Sequence, residues 1–134
     1  MRYFKTLTVF IFALIMVMPI GAKNQKKSQQ KPALMWFDAE ANFARFSNPD
    51  SIDFYLKKIK NLGFTHAVVD IRPITGEVLY DSKIAPKMIE WNGVKRPNFD
   101  YLGRFLTVGH KLGLKILASM NVFCAGHNYY DRGL

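Results

Sequence analysis

The sequence predicts an α/β protein, specifically a truncated TIM (β/α)8 barrel made of its N-terminal three βα units. Three apolar runs of strand length alternate with two amphipathic helical segments. A Leu-Gly step leads from each helix into the next strand, at residues 62–64 and again at 112–114. Repeated βα units of this kind build parallel sheets. A doubly wound sheet satisfies the same pattern, but no Gly-x-Gly-x-x-Gly follows a strand, and this absence favours the barrel.

The N-terminal residues 1–22 are predicted to be a signal peptide. Arg2 and Lys5 precede an uninterrupted apolar run at residues 9–18, and Gly21 and Ala22 offer the small side chains that a cleavage site needs. The run is shorter than the roughly 20 apolar residues of a membrane span. Export to the periplasm, the cell surface or the medium follows, with membrane contact only through this segment. An uncleaved anchor is the alternative.

Residues 23–32 form a polar linker, and the domain is predicted to occupy residues 33–134. The formal charge of +9 comes largely from the N-terminal segment and linker, because residues from 32 onward carry 13 basic and 10 acidic side chains. A nucleic-acid-binding surface needs a basic patch within the folded part, so nucleic acid is excluded as a partner. A single cysteine excludes an internal disulfide framework.

The first strand is predicted at residues 33–37, a continuous apolar run typical of a strand buried on both faces. Trp36, in its middle, is expected in the core. A helix follows, with Asn48 as N-cap, Pro49 in the first turn and Gly63 as the stop.

The second strand is predicted at residues 65–71 and the third at 114–120. Between them, Asp100 caps a helix that ends at Gly113. The connection over residues 73–98 contains three prolines and two glycines, which is too broken for one regular element. Because βα loops mostly have about 2–6 residues, a loop of this length is expected to be functional and to wall a cleft.

Polar side chains follow all three predicted strands. The carboxyl ends of parallel barrel strands carry the working residues of such folds, so we expect these side chains to share one edge. For each of them, ending a strand is the simpler alternative role. They are Asp38, Glu40, Asp70, Arg72, Asn121 and His127.

The sequence predicts no metal site and no cofactor. His66 lies at a strand start and His110 at a helix end, both away from the expected active edge. His127 is on the active side without a neighbouring ligand. Cys124 has no adjacent base to make it a nucleophile, and it is expected to be a small buried residue. Aromatic side chains available for stacking are Trp36, Trp91, Tyr80, Tyr129 and Tyr130.

Residues 69–86, Val-Asp-Ile-Arg-Pro-Ile-Thr-Gly-Glu-Val-Leu-Tyr-Asp-Ser-Lys-Ile-Ala-Pro, resemble the signature of the glycosyl hydrolase-like 10 family, also called DUF187. Residues 100–102, residues 110–114 and Asn121 are similar to a second stretch of that family. The resemblance covers residues 33–134. Met120 stands where the family usually has tryptophan and Gly109 where alanine is common, changes that affect the pocket floor.

The resemblance implies an exported barrel related to glycoside hydrolases, acting on poly- or oligosaccharides. A non-catalytic carbohydrate-binding or cell-surface barrel is the alternative. Hydrolysis of a glycosidic bond needs two carboxyl groups, and in related barrels these follow later strands, so the catalytic residues are unknown and expected beyond residue 134. The residues expected to bind the carbohydrate substrate are Asp38, Asp70, Arg72, Tyr80, Asn121 and His127.

Length leads to the same expectation of a fragment. Without residues 1–22 the chain has less than half of the roughly 250 residues of a (β/α)8 barrel. Three parallel strands cannot close a barrel and leave an unpaired edge. We therefore expect the chain to be inactive in hydrolysis and prone to aggregation.

Overall fold

The computed structural model describes residues 31–133, with side chains described as far as Arg132. The predicted signal peptide lies outside these residues, as does almost all of the predicted linker. None of the helices within the described range is long and apolar enough to cross a membrane.

The core of the fold is a three-stranded parallel sheet. Strands β1 (Leu34–Phe37), β2 (His66–Arg72) and β5 (Lys115–Met120) lie in the order β1-β2-β5. Trp36 is paired with Val68, and Val68 in turn with Leu117. The predicted α/β class with parallel strands is confirmed. An order that follows the sequence occurs at the start of a barrel and within half of a doubly wound sheet alike.

Two helices cross between the strands, and their ends match the predicted capping residues. Helix α2 (Pro49–Asn61) begins after Asn48, whose side chain accepts a hydrogen bond from the Asp50 backbone N–H at 2.9 Å. Helix α3 (Tyr101–Lys111) begins after Asp100, whose Oδ1 accepts from the Gly103 N–H at 2.8 Å. These bonds satisfy backbone donors that a helix start leaves unpaired.

Short elements complete the described chain, and the sequence pattern predicts none of them. A four-residue helix precedes α2, two-residue strands form a hairpin inside the long loop, and a 3-10 turn joins two further short strands near the C-terminus. The long loop is therefore as irregular as predicted. These elements are α1 (Phe43–Phe46), β3 (Glu90–Trp91), β4 (Val94–Lys95), β6 (Gly126–His127), the 3-10 helix Asn128–Tyr130, and β7 (Arg132–Gly133).

One face of the sheet packs against helices α2 and α3 and forms the hydrophobic core. Phe37 of β1 contacts Phe105 of α3, with ring centroids 5.1 Å apart. Leu56 of α2 and Val69 of β2 are fully buried in the same cluster. We call α2, α3 and the sheet face that they cover the helical layer. Burial of apolar side chains here is the main favourable contribution to stability.

The opposite face of the sheet is open at its two outer strands, β1 and β5. Leu34 and Trp36 of β1 are 48% and 59% exposed, and Leu117 of β5 is 43% exposed. The expectation that the first strand is buried on both faces, with Trp36 in the core, is therefore wrong for this chain. An apolar run indicates what a strand is able to bury, but it does not indicate whether a second layer covers that strand. Strand β2, flanked on both sides, is buried on both faces over Ala67–Ile71 as its composition predicts.

Candidate functional site

Strand β2 ends in a bulge that sets up the carboxyl edge of the sheet. Asp70 pairs with Ser119 and Arg72 with Met120, so Ile71 is an extra residue with no partner on β5. A bulge redirects the side chains around it, and such irregularities are common beside functional sites. Asp70, at the bulge, is 6% exposed and is one of the few buried charged residues.

Three carboxylates meet at this edge. Asp38 and Glu40 follow β1, and Asp70 ends the regular part of β2; one carboxylate oxygen from each lies within 4.8 Å of those of the other two. We call Asp38, Glu40 and Asp70 the acidic cluster. The sequence placed all three at one edge, and the structure brings them together. The Oδ1 of Asp38 also accepts a hydrogen bond from the Ala41 N–H at 2.6 Å, so Asp38 holds the turn after β1 as well.

Burial and mutual repulsion act on the acidic cluster in the same direction. Burial raises the pKa of Glu40, and the negative charges of Asp38 and Asp70 raise it further. The pKa of Asp70 is raised by burial first and by the charge of Asp38 second. Both shifts have the physical cause expected when carboxylates share a site away from water.

Arg72 does not neutralise the acidic cluster. Its guanidinium donates hydrogen bonds to the backbone carbonyls of Val122, at 3.4 Å, and Cys124, at 3.1 Å. Arg72 therefore holds the segment after β5, and its assignment to carbohydrate binding stays a prediction. Among residues 31–132, no salt bridge reaches a member of the acidic cluster.

Two residues that the sequence analysis did not single out lie next to this edge. Tyr101, in the first turn of α3, is 1% exposed and its hydroxyl has no hydrogen-bond partner. Arg96 is 9% exposed, and its guanidinium carbon lies 4.6 Å from the centre of the Tyr101 ring. The same guanidinium lies 4.3 Å from the centre of the Phe43 ring, and both of its terminal nitrogens lack a hydrogen-bond partner.

Burial also dominates the electrostatics of these two residues. It lowers the pKa of Arg96 to about 10, partly offset by Tyr101. Burial raises the pKa of Tyr101, Arg96 lowers it, and the charges of Asp70 and Asp38 raise it again. The Tyr101 hydroxyl therefore stays protonated and keeps a hydrogen-bond donor without a partner. No local sequence pattern reveals that the Tyr101 hydroxyl is buried and unpaired, because its burial depends on how α3 packs against the sheet.

The other predicted site residues lie around this edge without joining the acidic cluster. The Asn121 N–H donates to the Arg72 carbonyl at 2.9 Å, while the rest of Asn121 is exposed. His127 is exposed and its ring packs near that of Tyr130, at 5.0 Å. Tyr80 packs against the hydrophobic core.

The histidines, the cysteine and the remaining aromatic residues take varied positions. His66 lies 2.7 Å from the Thr65 hydroxyl at the opposite end of β2. Cys124 is half-buried, so the prediction of a buried cysteine needs correction. Trp91 is buried against Tyr130, whereas Tyr129 is 84% exposed and its ring packs edge to face against Tyr130, with centroids 5.0 Å apart.

A separate cleft lies beside the free edge of β1. It has a volume of about 320 Å³ between β1 and helices α1 and α2. Trp36, Tyr55 and Leu62 give it apolar walls, and the Arg45 guanidinium covers the Tyr55 ring at 5.3 Å. None of the acidic cluster lines it.

One curated protein resembles this chain over most of its length. It is an S-layer-related protein of Niallia circulans, 28% identical over 106 residues that cover 74% of this chain and 7% of that protein. The chain thus spans a small part of the length of the relative it matches. No protein-family model matches the chain. No solved structure matches it either.

Proposed function

We propose that the chain is part of an exported, cell-surface protein of the glycoside hydrolase-like barrel type, in which the carboxyl edge of the sheet binds a glycan. The observation that carries the proposal is the convergence of Asp38, Glu40 and Asp70 within 4.8 Å at that edge. Carboxylates are strong acceptors for hydroxyl donors, and a sugar presents several hydroxyls in a fixed arrangement. The location at the cell surface is supported by the apolar N-terminal segment and by the name of the relative.

The surroundings of the acidic cluster fit a polar, shape-specific ligand. Buried oxygens of Glu40 and Asp70 have no hydrogen-bond partner, and neither has the Tyr101 hydroxyl. Unpaired buried polar atoms lower the stability of the free protein. A ligand that forms hydrogen bonds with them removes this penalty, which favours binding. A ligand with hydroxyls is able to donate hydrogen bonds to these carboxylate oxygens.

Cleavage of a glycosidic bond is the second candidate function. The observation in its favour is that Glu40 and Asp70 both have raised pKa values, as a general acid does in glycoside hydrolases. Retaining enzymes place two carboxyl groups about 5–5.5 Å apart, and inverting enzymes about 6.5–9.5 Å apart. The close approach within the acidic cluster is nearer to the first arrangement.

A glycan array of poly- and oligosaccharides, probed with the full chain and with Asp70→Asn, tests the proposal. We expect the parent chain to retain specific glycans and Asp70→Asn to lose at least tenfold in affinity. Asp131→Asn, the same change at an exposed carboxylate outside the acidic cluster, is the matched control and should bind normally. Retention that is equal for all three proteins contradicts the proposal.

Chromatography of the bound glycans after prolonged incubation separates the two candidate functions. Binding with intact glycan supports a binding role for this chain. Shortened products that are absent with both Asp70→Asn and Glu40→Gln support hydrolysis.

A further inference from the structure

Strand β1 has no neighbouring strand on its outer side among the described residues, because it is the outermost strand of the order β1-β2-β5. The carbonyl of Ala33 accepts a hydrogen bond from the His66 N–H at 3.1 Å, so the backbone of Ala33 faces β2. Successive residues of a strand direct their backbone groups to alternate sides. The N–H and C=O of Leu34 and of Trp36 therefore point outward, away from β2.

Nothing in β1 protects this outer edge from pairing. Its sequence, Leu-Met-Trp-Phe, contains no proline and no charged residue, and its register with β2 is unbroken. Proline, charges and bulges are the devices that natural edge strands use against unwanted pairing. Unpaired backbone groups on an apolar strand are a template for an added strand, which is one of the recurring modes of peptide recognition.

The cleft beside β1 can provide a pocket for a side chain of such an added strand. Met35–Phe37, three consecutive residues of β1, line it, and consecutive side chains alternate between the two faces of a sheet. The cleft therefore runs along the edge of the strand. An apolar cavity of about 150 Å³ accommodates a benzene ring. With a volume of about 320 Å³, the cleft has room for one aromatic side chain.

The charge of the cleft favours an acidic occupant. Arg45 and Lys58 line it, and no acidic side chain of the described residues does. Neither cation forms a salt bridge within residues 31–132, and Arg45 donates a hydrogen bond only to the neutral Oδ1 of Asn42, at 2.6 Å. An acidic side chain of a partner therefore meets two cations that no internal anion neutralises. Two copies of this chain paired through the same edge would instead bring four cations together.

We propose that the outer edge of β1 binds an extended acidic peptide segment by strand addition. An aromatic side chain of the peptide enters the cleft, and an acidic side chain two residues away lies near Arg45 and Lys58. Alternate side chains of a strand share a face, so this spacing places both on the cleft side. Binding also covers apolar surface of Trp36 and Leu62, which are 59% and 66% exposed. None of the acidic cluster lines the cleft, so this site is independent of glycan binding.

Calorimetric titration of the full chain with the blocked peptide Thr-Glu-Val-Phe-Val-Glu-Thr tests the proposal. Both Glu residues lie two positions from the Phe, so the peptide fits in either strand direction. We expect one peptide per chain with a Kd below about 1 mM. Replacing Phe by Ala should weaken binding at least tenfold, as should replacing both Glu residues by Lys. A flat titration, or equal binding of the three peptides, overturns the proposal.

Two charge reversals on helix α2 test the role of the cleft in about 0.15 M salt, where long-range attraction is screened. Lys58→Glu should weaken binding of the acidic peptide at least fivefold and strengthen binding of the peptide that carries Lys. Lys57→Glu is the matched control, since Lys57 is exposed, adjacent in sequence and outside the lining of the cleft. It should bind both peptides as the parent chain does. Equal effects of the two variants contradict the proposed site.

Two N-methylated forms of the acidic peptide test strand addition itself. One carries methyl groups on both Val nitrogens, and the other on the nitrogens of Phe and the second Glu. Because the backbone N–H groups of alternate residues point to the same edge, one form loses the donors that face β1 and the other loses those that face away. We expect one form to bind like the unmethylated peptide and the other not to bind. Identical behaviour of the two forms overturns strand addition.

Discussion

The helical layer and the carboxyl edge of the sheet differ in whether their polar side chains have partners. In the helical layer, Asp53 of α2 accepts two hydrogen bonds from Arg104 of α3, at 2.6 and 2.7 Å. At the carboxyl edge and in the long loop, buried side-chain atoms of Glu40, Asp70, Arg72, Thr75, Glu77, Arg96 and Tyr101 have no partner. Natural proteins break such local rules mainly at functional sites, and this contrast is one reason to place the proposed binding site at the carboxyl edge rather than in the helical layer.

The largest expected effect tests whether stability comes from the helical layer. Leu56 of α2 is fully buried against the sheet, and Leu117 of β5 is 43% exposed on the open face. Leu56→Ala should lower the free energy of unfolding by about 2–5 kcal/mol, because it leaves a cavity in a packed core. Leu117→Ala should lower it by less than about 1 kcal/mol, because its side chain buries only part of its surface.

Urea-induced unfolding followed by circular dichroism measures both variants. Equal losses for the two leucines would mean that the open face is covered in solution, and the contrast between the faces would then disappear.

A second comparison uses the same substitution at two glycines with positive φ. Gly63 ends α2 with φ +87° and open space around the position of a Cβ, whereas Gly76 has φ +80° and a Cβ there would lie 2.9 Å from the backbone of Ala125. Gly63→Ala should lower the free energy of unfolding by about 1–2 kcal/mol, which is the cost of holding alanine in the left-handed conformation. Gly76→Ala should cost more, because the segment around Ala125 must move as well.

Limited proteolysis distinguishes the two alanine variants. Cleavage within residues 121–127 should become faster in Gly76→Ala and stay unchanged in Gly63→Ala. Unchanged cleavage in both would show that this segment does not depend on its contact with Gly76.

The smallest expected effects on stability come from an Asp→Asn substitution in each region, and the two effects have opposite signs. Asp53→Asn removes the negative charge and one of the two oxygens that accept from Arg104, and it should slightly lower Tm. Asp70→Asn removes a buried charge that has no cationic partner among the described residues, and it should raise the free energy of unfolding by about 1 kcal/mol. Differential scanning calorimetry measures both. A lower Tm for Asp70→Asn would show that the Asp70 carboxylate is paired in solution.

The elements that the sequence predicted well are those whose signals are local. Asn48 and Asp100 cap their helices as predicted, and Gly113 follows α3 with φ +68°. Burial of the sheet was predicted less well, because the composition of Leu34–Phe37 does not report whether a second layer covers that strand. The hairpin of β3 and β4 escaped prediction because strands of two residues have no measurable periodicity.

The candidate site was predictable only as far as strand ends could be located. Asp38, Glu40 and Asp70 follow or end parallel strands, and such ends meet at one edge, so their proximity was foreseeable. The pairing of Arg72 with the segment after β5 was not foreseeable, since it depends on the path of a loop 50 residues away. The position of the Tyr101 hydroxyl depends on helix packing and has no signal in its neighbours.

The bond between Arg72 and the carbonyl of Cys124 makes a kinetic observation possible. Cys124 is the only cysteine of the chain and is half-buried where Arg72 holds its backbone. A thiol reagent reacts faster whenever this segment opens, so the labelling rate of Cys124 reports the opening frequency directly. The labelling rate of Cys124 therefore measures how often the segment after β5 opens, without an engineered probe.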